Sequence, residues 1–101
     1  MRIFKFGGAS VKDAEGVKNL LNVLSNFRKE ELLVVVSAMG KTTNALEKVA
    51  KAYWNQSAEL RECIDAVRLY HSEIMDDLGF PSDHTVRGDV ENSFEIGRAH
   101  V

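Results

Sequence analysis

The run Leu32-Leu33-Val34-Val35-Val36-Ser37 constrains this chain more than any other stretch. Its unbroken apolar character is that of a strand buried on both faces of a parallel sheet. The residues upstream supply the partner. Arg2 to Phe6 form a second β-type run that ends at Gly7-Gly8, the pattern of a strand entering a backbone-permissive turn. Asp13 is placed to cap a helix, and from Ala14 onward Val17, Leu20, Leu21, Leu24 and Phe27 recur at helical spacing opposite Lys18, Asn22 and Ser25. Strand, helix, strand implies a right-handed parallel βαβ unit.

Beyond the loop from Ala38 to Thr43, Asn44 followed by Glu47 makes a capping-box-like start. The helix it opens carries Leu46, Val49, Ala50, Tyr53 and Trp54. A third helix is expected from Ser57 to Leu78, with Leu60, Ile64, Val67, His71, Ile74 and Leu78 along one face, stopped by Gly79 and Pro81. Ser82 to Val101 is polar and receives no element. The stripe histidine, His71, reads as a hydrogen-bonded structural residue, Cys63 as a small apolar stripe residue, and Asp76-Asp77 as solvated surface.

Several function classes are disfavoured early. The 13 basic and 15 acidic residues are interspersed and sum to a net charge of -2, which argues against nucleic-acid and anionic-membrane partners but leaves small anionic ligands open. The longest apolar run is far short of the roughly 20 residues of a membrane helix. The N-terminus has no apolar signal region, so a cytoplasmic location is expected. A single cysteine excludes an internal disulfide, and no Cys/His cluster has zinc spacing.

In a parallel sheet the loops leaving the carboxyl ends of adjacent strands share one edge, where ligands bind in open α/β folds. Gly7-Gly8-Ala9-Ser10 places two residues without side chains ahead of a helix, so backbone amides can approach a phosphate. Lys5 sits inside Ile3-Phe4-Lys5-Phe6, where pleat alternation sends it to the face opposite Phe4 and Phe6. A lysine there can neutralise a transferring phosphoryl group. Equally, it can discourage edge-to-edge pairing, with Gly7-Gly8 a plain tight turn. The second loop, Ser37 to Asn44, offers hydroxyls and amides suited to a carboxylate or phosphate, or ordinary helix capping by Thr42, Thr43 and Asn44. Gly40-Lys41-Thr42 is not a P-loop, because Val35 stands where that motif needs its first glycine.

Lys5-Phe6-Gly7-Gly8-Ala9-Ser10-Val11 resembles the strand-to-loop signature of aspartate kinases, members of the amino-acid kinase family. Val34-Val35-Val36-Ser37-Ala38-Met39-Gly40, followed by Thr42-Thr43-Asn44 and Leu46, resembles that family's second strand and substrate loop, in the same order and at the same distance. The resemblance implies the N-terminal part of a three-layer α/β/α fold with a mostly parallel sheet, here incomplete. It implies ATP-dependent phosphorylation of the side-chain carboxylate of L-aspartate, with Mg2+ held by residues outside this stretch and a homo-oligomeric parent enzyme. Lys5 would stabilise the transferring phosphoryl group, and Gly7, Gly8, Ala9 and Ser10 would line the phosphate path. Ser37, Ala38 and Thr43 would belong to the aspartate side. The family commonly has threonine where this chain has Ala9, which removes a hydroxyl and leaves only a backbone role there. Another amino-acid kinase, or a small non-catalytic α/β interaction module, is the alternative.

The family's acidic substrate segment, nucleotide pocket and regulatory domains do not follow, so a fragment is expected, inactive by itself and aggregation-prone through uncovered sheet. Ile96-Gly97-Arg98-Ala99-His100-Val101 is also the translation of ATC-GGA-AGA-GCA-CAC-GTC, a common sequencing-adapter string whose next triplet is a stop. Residues 1–95 are therefore expected to be kinase-domain sequence and 96–101 a non-native tail. The competing expectation is a genuine C-terminus with Arg98 and His100 at the surface.

Overall fold

A computed structural model describes the backbone of residues 1–99 and the side chains of residues 1–95. The side chains of the suspected tail, and His100 and Val101 altogether, lie outside the described residues. Contacts divide the chain into two compact units, Met1–Thr43 and Asn44–Val101. The class is α/β, as the strand and helix periods imply.

In the first unit, strand β1 (Arg2–Phe6) leads through a 3-10 turn (Gly8–Val11) into helix α1 (Ala14–Ser25) and then strand β2 (Leu32–Val36). The strands pair in parallel, with Lys5 opposite Val35 and Phe6 opposite Val36. Asp13 caps α1 as expected, its Oδ1 accepting from the Gly16 amide at 2.9 Å. Gly16 is required by packing, since a Cβ there would run into the Ser10 carbonyl. Phe4 and Phe6 stack on one sheet face at 6.1 Å, and Phe27, just past the end of α1, closes on Phe4 at 5.1 Å. Val11, in the 3-10 turn, is the deepest side chain at 1% exposure, with Ala14 beside it in sequence also buried.

Two expectations fail in this unit. Leu21 is 60% exposed, because the inward face of α1 runs through Val17, Leu20 and Leu24 and excludes it. Nor is β2 buried on both faces: Leu33, Val35 and Val36 are 47%, 46% and 52% exposed. A two-stranded sheet has only one neighbour for each strand, and no layer covers the Ile3, Leu33 and Val35 face among the described residues.

At the amino end of the sheet, Arg2 forks onto Glu30 at 2.7 and 3.1 Å and lies over the Phe27 ring at 4.6 Å. The Arg2 hydrogen bond, with its charge, holds the Glu30 carboxyl below its ordinary range. A depressed carboxylate stabilises the fold above the unfolded pKa of about 4.3 and loses that contribution as pH falls through the lower folded value. Glu30→Gln is thus expected to flatten the acid limb of Tm against pH and to leave the profile above neutrality parallel to wild type. An unchanged acid limb would assign the pair no role in stability.

The second unit comprises most of α2 (Thr42–Trp54), α3 (Leu60–Asp77) and α4 (Thr85–Ala99). The α3 stripe is as expected, with Val67 and Ile74 buried and Leu60, Ile64, His71 and Leu78 half-buried. His71 Nδ1 lies 2.8 Å from the Val67 carbonyl, the structural hydrogen bond anticipated for it. Gly79, at φ +83, ends α3 in a Schellman motif: its amide donates to Asp76 and that of Phe80 to Met75. The Asp76 carboxylate is exposed but also ion-paired to Arg87 at 2.8 Å.

Two helices depart from the reading. The polar stretch beyond Ser82 contains α4, whose apolar residues are few but recur as Val86, Val90 and Phe94, all half-buried. Helix α2 begins at Thr42, with the Thr42 hydroxyl donating to the Met39 carbonyl, so the Asn44 and Glu47 capping box does not form. The inward positions of α2 are the small ones, Ala45, Val49 and Ala52, while Leu46, Tyr53 and Trp54 stay exposed. This helix also ends in a Schellman motif, with Gln56 in the left-handed region at φ +52. Gln56→Gly should relieve that strain and raise stability by about 0.5–1 kcal/mol, read as a higher urea midpoint at unchanged slope. A fall in midpoint would mean that the glutamine side chain makes a compensating contact. Among the described residues no helix is long and apolar enough to cross a membrane.

Candidate functional site

Parallel pairing brings the carboxyl ends of β1 and β2 together, so the loops after Phe6 and Val36 rise from one sheet edge within the first unit. The ladder runs one residue past the strands, with the Ser37 amide donating to the Phe6 carbonyl at 2.9 Å. A further bond joins the loops, the Gly40 amide donating to the Gly8 carbonyl at 2.9 Å. The crossing is tight: a Cβ on Gly8 would lie 2.7 Å from the Gly40 carbonyl oxygen and 2.9 Å from that of Ala38.

This alters the reason for the glycine pair. Gly7 is extended, at φ -76 and ψ 173, and Gly8 has no positive φ, so neither is needed for unusual backbone rotation. Gly8 is needed because a second backbone occupies the place of its side chain, whereas Gly7 has open space around it. Conformational freedom matters instead at Gly40, at φ +56. Sequence reasoning placed Gly40 in a failed P-loop and at the end of the second family-like motif, with no backbone role of its own. A lone glycine between a buried-type strand and a helix was the available signal.

Each predicted site residue can be placed. Lys5 is exposed one position before the end of β1, on the face away from the Phe4–Phe6 stack. Gly7 is exposed, Gly8 half-buried, and Ala9 and Ser10 exposed within the 3-10 turn. Ser37 and Ala38 are exposed at the mouth of β2, and Thr43 is exposed in the first turn of α2. The loop after β1 does not feed directly into α1. The 3-10 turn intervenes, and Asp13 already satisfies an amide at the α1 N-terminus, so that helix end is not open beside Gly7 and Gly8.

Neither edge loop contains a carboxylate, and the nearest in sequence, Asp13, is engaged by Gly16. Among the described residues no group of three or more His, Cys, Asp or Glu is arranged to hold a metal ion. The described residues of these two loops do not fit a divalent cation. The arrangement offers instead an exposed cation, backbone amides of a short helical turn and hydroxyls, on two loops pinned to each other.

The sequence profile of the Amino acid kinase family matches residues 1–85. The chain belongs to that family. It is 47% identical over 49 residues to aspartokinase 2, chloroplastic, of Arabidopsis thaliana, covering 48% of this chain and 9% of that protein. It is 39% identical over 64 residues to aspartokinase 1, chloroplastic, of the same plant, covering 59% and 11%. Aspartokinase 2 of Bacillus subtilis (strain 168) is 40% identical over 57 residues, covering 54% and 14%. The chain thus aligns with about a tenth of the length of these relatives. The parallel strand pair and its flanking helices are a partial version of the α/β architecture expected from the resemblance.

Proposed function

We propose that this chain is the opening segment of an aspartate kinase, supplying the phosphoryl-handling loop and part of the acceptor loop. The supporting observation is the Gly8–Gly40 crossing, which brings the two loops carrying the aspartate-kinase signatures to a single sheet edge next to Lys5. On this reading a side-chain carboxylate oxygen of L-aspartate attacks the γ-phosphorus of ATP, the bond to the β,γ-bridging oxygen breaks, and ADP leaves. The product is 4-phospho-L-aspartate, destined for lysine, threonine and methionine synthesis in a homo-oligomeric parent.

Lys5 neutralises charge on the equatorial phosphoryl oxygens as the transfer proceeds. Gly7, Gly8, Ala9 and Ser10 line the phosphate path, Ser10 through its hydroxyl, since its amide already donates to the Gly7 carbonyl. Ala9 contributes backbone alone. Ser37, Ala38 and Thr43 hold the amino acid through hydroxyls and main chain. The chain aligns with about a tenth of the length of its relatives, and by itself it is expected to be inactive.

The test is a chimera in which residues 1–85 replace the matching stretch of the B. subtilis aspartokinase, assayed for ATP-dependent, aspartate-dependent acyl phosphate formation. Activity with aspartate but not with glutamate supports the reading. A folded chimera that turns over neither, or that prefers another amino acid, sinks it in favour of a non-catalytic module or a different amino-acid kinase.

A further inference from the structure

Gly8 and Gly40 contribute no side chain to the site, yet each is constrained more tightly than the residues around it. Gly8 has two carbonyl oxygens where a Cβ would be, and Gly40 combines a positive φ with an amide bonded to Gly8. Gly7, directly adjacent, has neither constraint. The Ser37 to Phe6 bond continues the sheet ladder, and the Gly40 to Gly8 bond follows it two residues further along one loop and three along the other.

We propose that Gly8 and Gly40 are positioning residues: their hydrogen bond makes the two edge loops one rigid element, which sets the distance between the group held on one loop and the group held on the other. This rests on the kinase reading for its catalytic consequence, but the rigidity is a property of the chain itself. Two reactants held on separate loops react at a rate set by their mutual alignment, and a displacement of about 1 Å costs on the order of 100-fold. Loosening the strut should therefore lower kcat while each substrate still binds its own loop.

The first arm uses the 101-residue chain and no ligand. Amide hydrogen exchange at Gly40 is compared in wild type, Gly7→Ala and Gly8→Ala. Gly8→Ala is expected to speed Gly40 exchange about 100-fold relative to the Val35 amide, and Gly7→Ala by less than about 3-fold. Because Gly8→Ala can disturb the whole unit, a semisynthetic chain with an ester oxygen in place of the Gly40 amide nitrogen removes the donor and adds no atoms. Its exchange is followed at Ser10 and Ser37, whose amides donate to the Gly7 and Phe6 carbonyls. An unprotected Gly40 amide in wild type, or unchanged loop exchange in the ester chain, overturns the strut.

The second arm puts Gly8→Ala into the chimera. The expected result is a kcat lower by about 100-fold with both KM values within about 3-fold of the parent. A raised KM for one substrate at unchanged kcat overturns the positioning role and makes the crossing part of a binding subsite. If the unsubstituted chimera is inactive, the kinase reading fails, and the strut is then judged by the exchange arm.

Discussion

Lys5→Met in the active chimera is expected to lower kcat by about 1,000-fold, with KM for aspartate nearly unchanged. An oriented cation acting on developing phosphoryl charge is worth several kcal/mol in a water-poor site, and each factor of ten is about 1.4 kcal/mol. Methionine preserves the length and apolar stem of lysine, so the loss reports the charge. Lys5→Arg should recover little, because a planar guanidinium presents its donors differently from a compact ammonium. The competing role, protection of a strand edge, makes the opposite forecast. Both strands are edges of this two-stranded sheet, so Lys5→Met would then promote association of the isolated chain and leave turnover within a few-fold of the parent.

The second large effect lies in the other unit. Arg87 donates through Nε and Nη2 to the Phe80 carbonyl at 3.2 and 2.6 Å, through Nε to the Pro81 carbonyl at 3.0 Å, and pairs with Asp76 at 2.8 Å. Its side chain is only 20% exposed, and it gathers the chain end of α3 onto the first turns of α4. Arg87→Ala should cost about 2–3 kcal/mol, since hydrogen bonds to a charged donor are the strong kind and two carbonyls lose theirs together. The measurement is the urea midpoint of the helical signal. Asp76→Asn provides the contrast: the carboxylate is 62% exposed, so losing that pair should cost under about 1 kcal/mol. If the two variants lose stability equally, the ion pair and not the carbonyl clamp does the holding.

How far the sequence carried can be judged residue by residue. Strand β1, helix α1 and strand β2 were legible because each has a strong local period and clear boundaries, Asp13 at one and Gly7-Gly8 at another. The α3 stripe and its glycine stop were legible for the same reason. Helix α4 was not, because Val86, Val90 and Phe94 form a seam one residue wide, too thin to stand out from its polar neighbours. Val11 escaped notice although it is the most buried residue, since one apolar side chain in a 3-10 turn has no periodicity. The exposure of β2 depends on how many layers surround the sheet, which its own residues do not encode. At the site, pattern alone marked both loops. It did not reveal that they cross, because a contact between positions 8 and 40 leaves no trace in either stretch beyond a glycine.

That crossing bears on how a mutational library of this chain would look. In a growth selection for kinase function, intolerance at Gly8 would stand beside intolerance at Lys5, and a heat map would rank the two alike. Gly7, equally a glycine and nearer the lysine, has open space where a side chain would stand. A reader of such a map would be inclined to count Gly8 among the chemical groups. Its intolerance would instead record excluded volume: the space its side chain would need is filled by the main chain of the neighbouring loop.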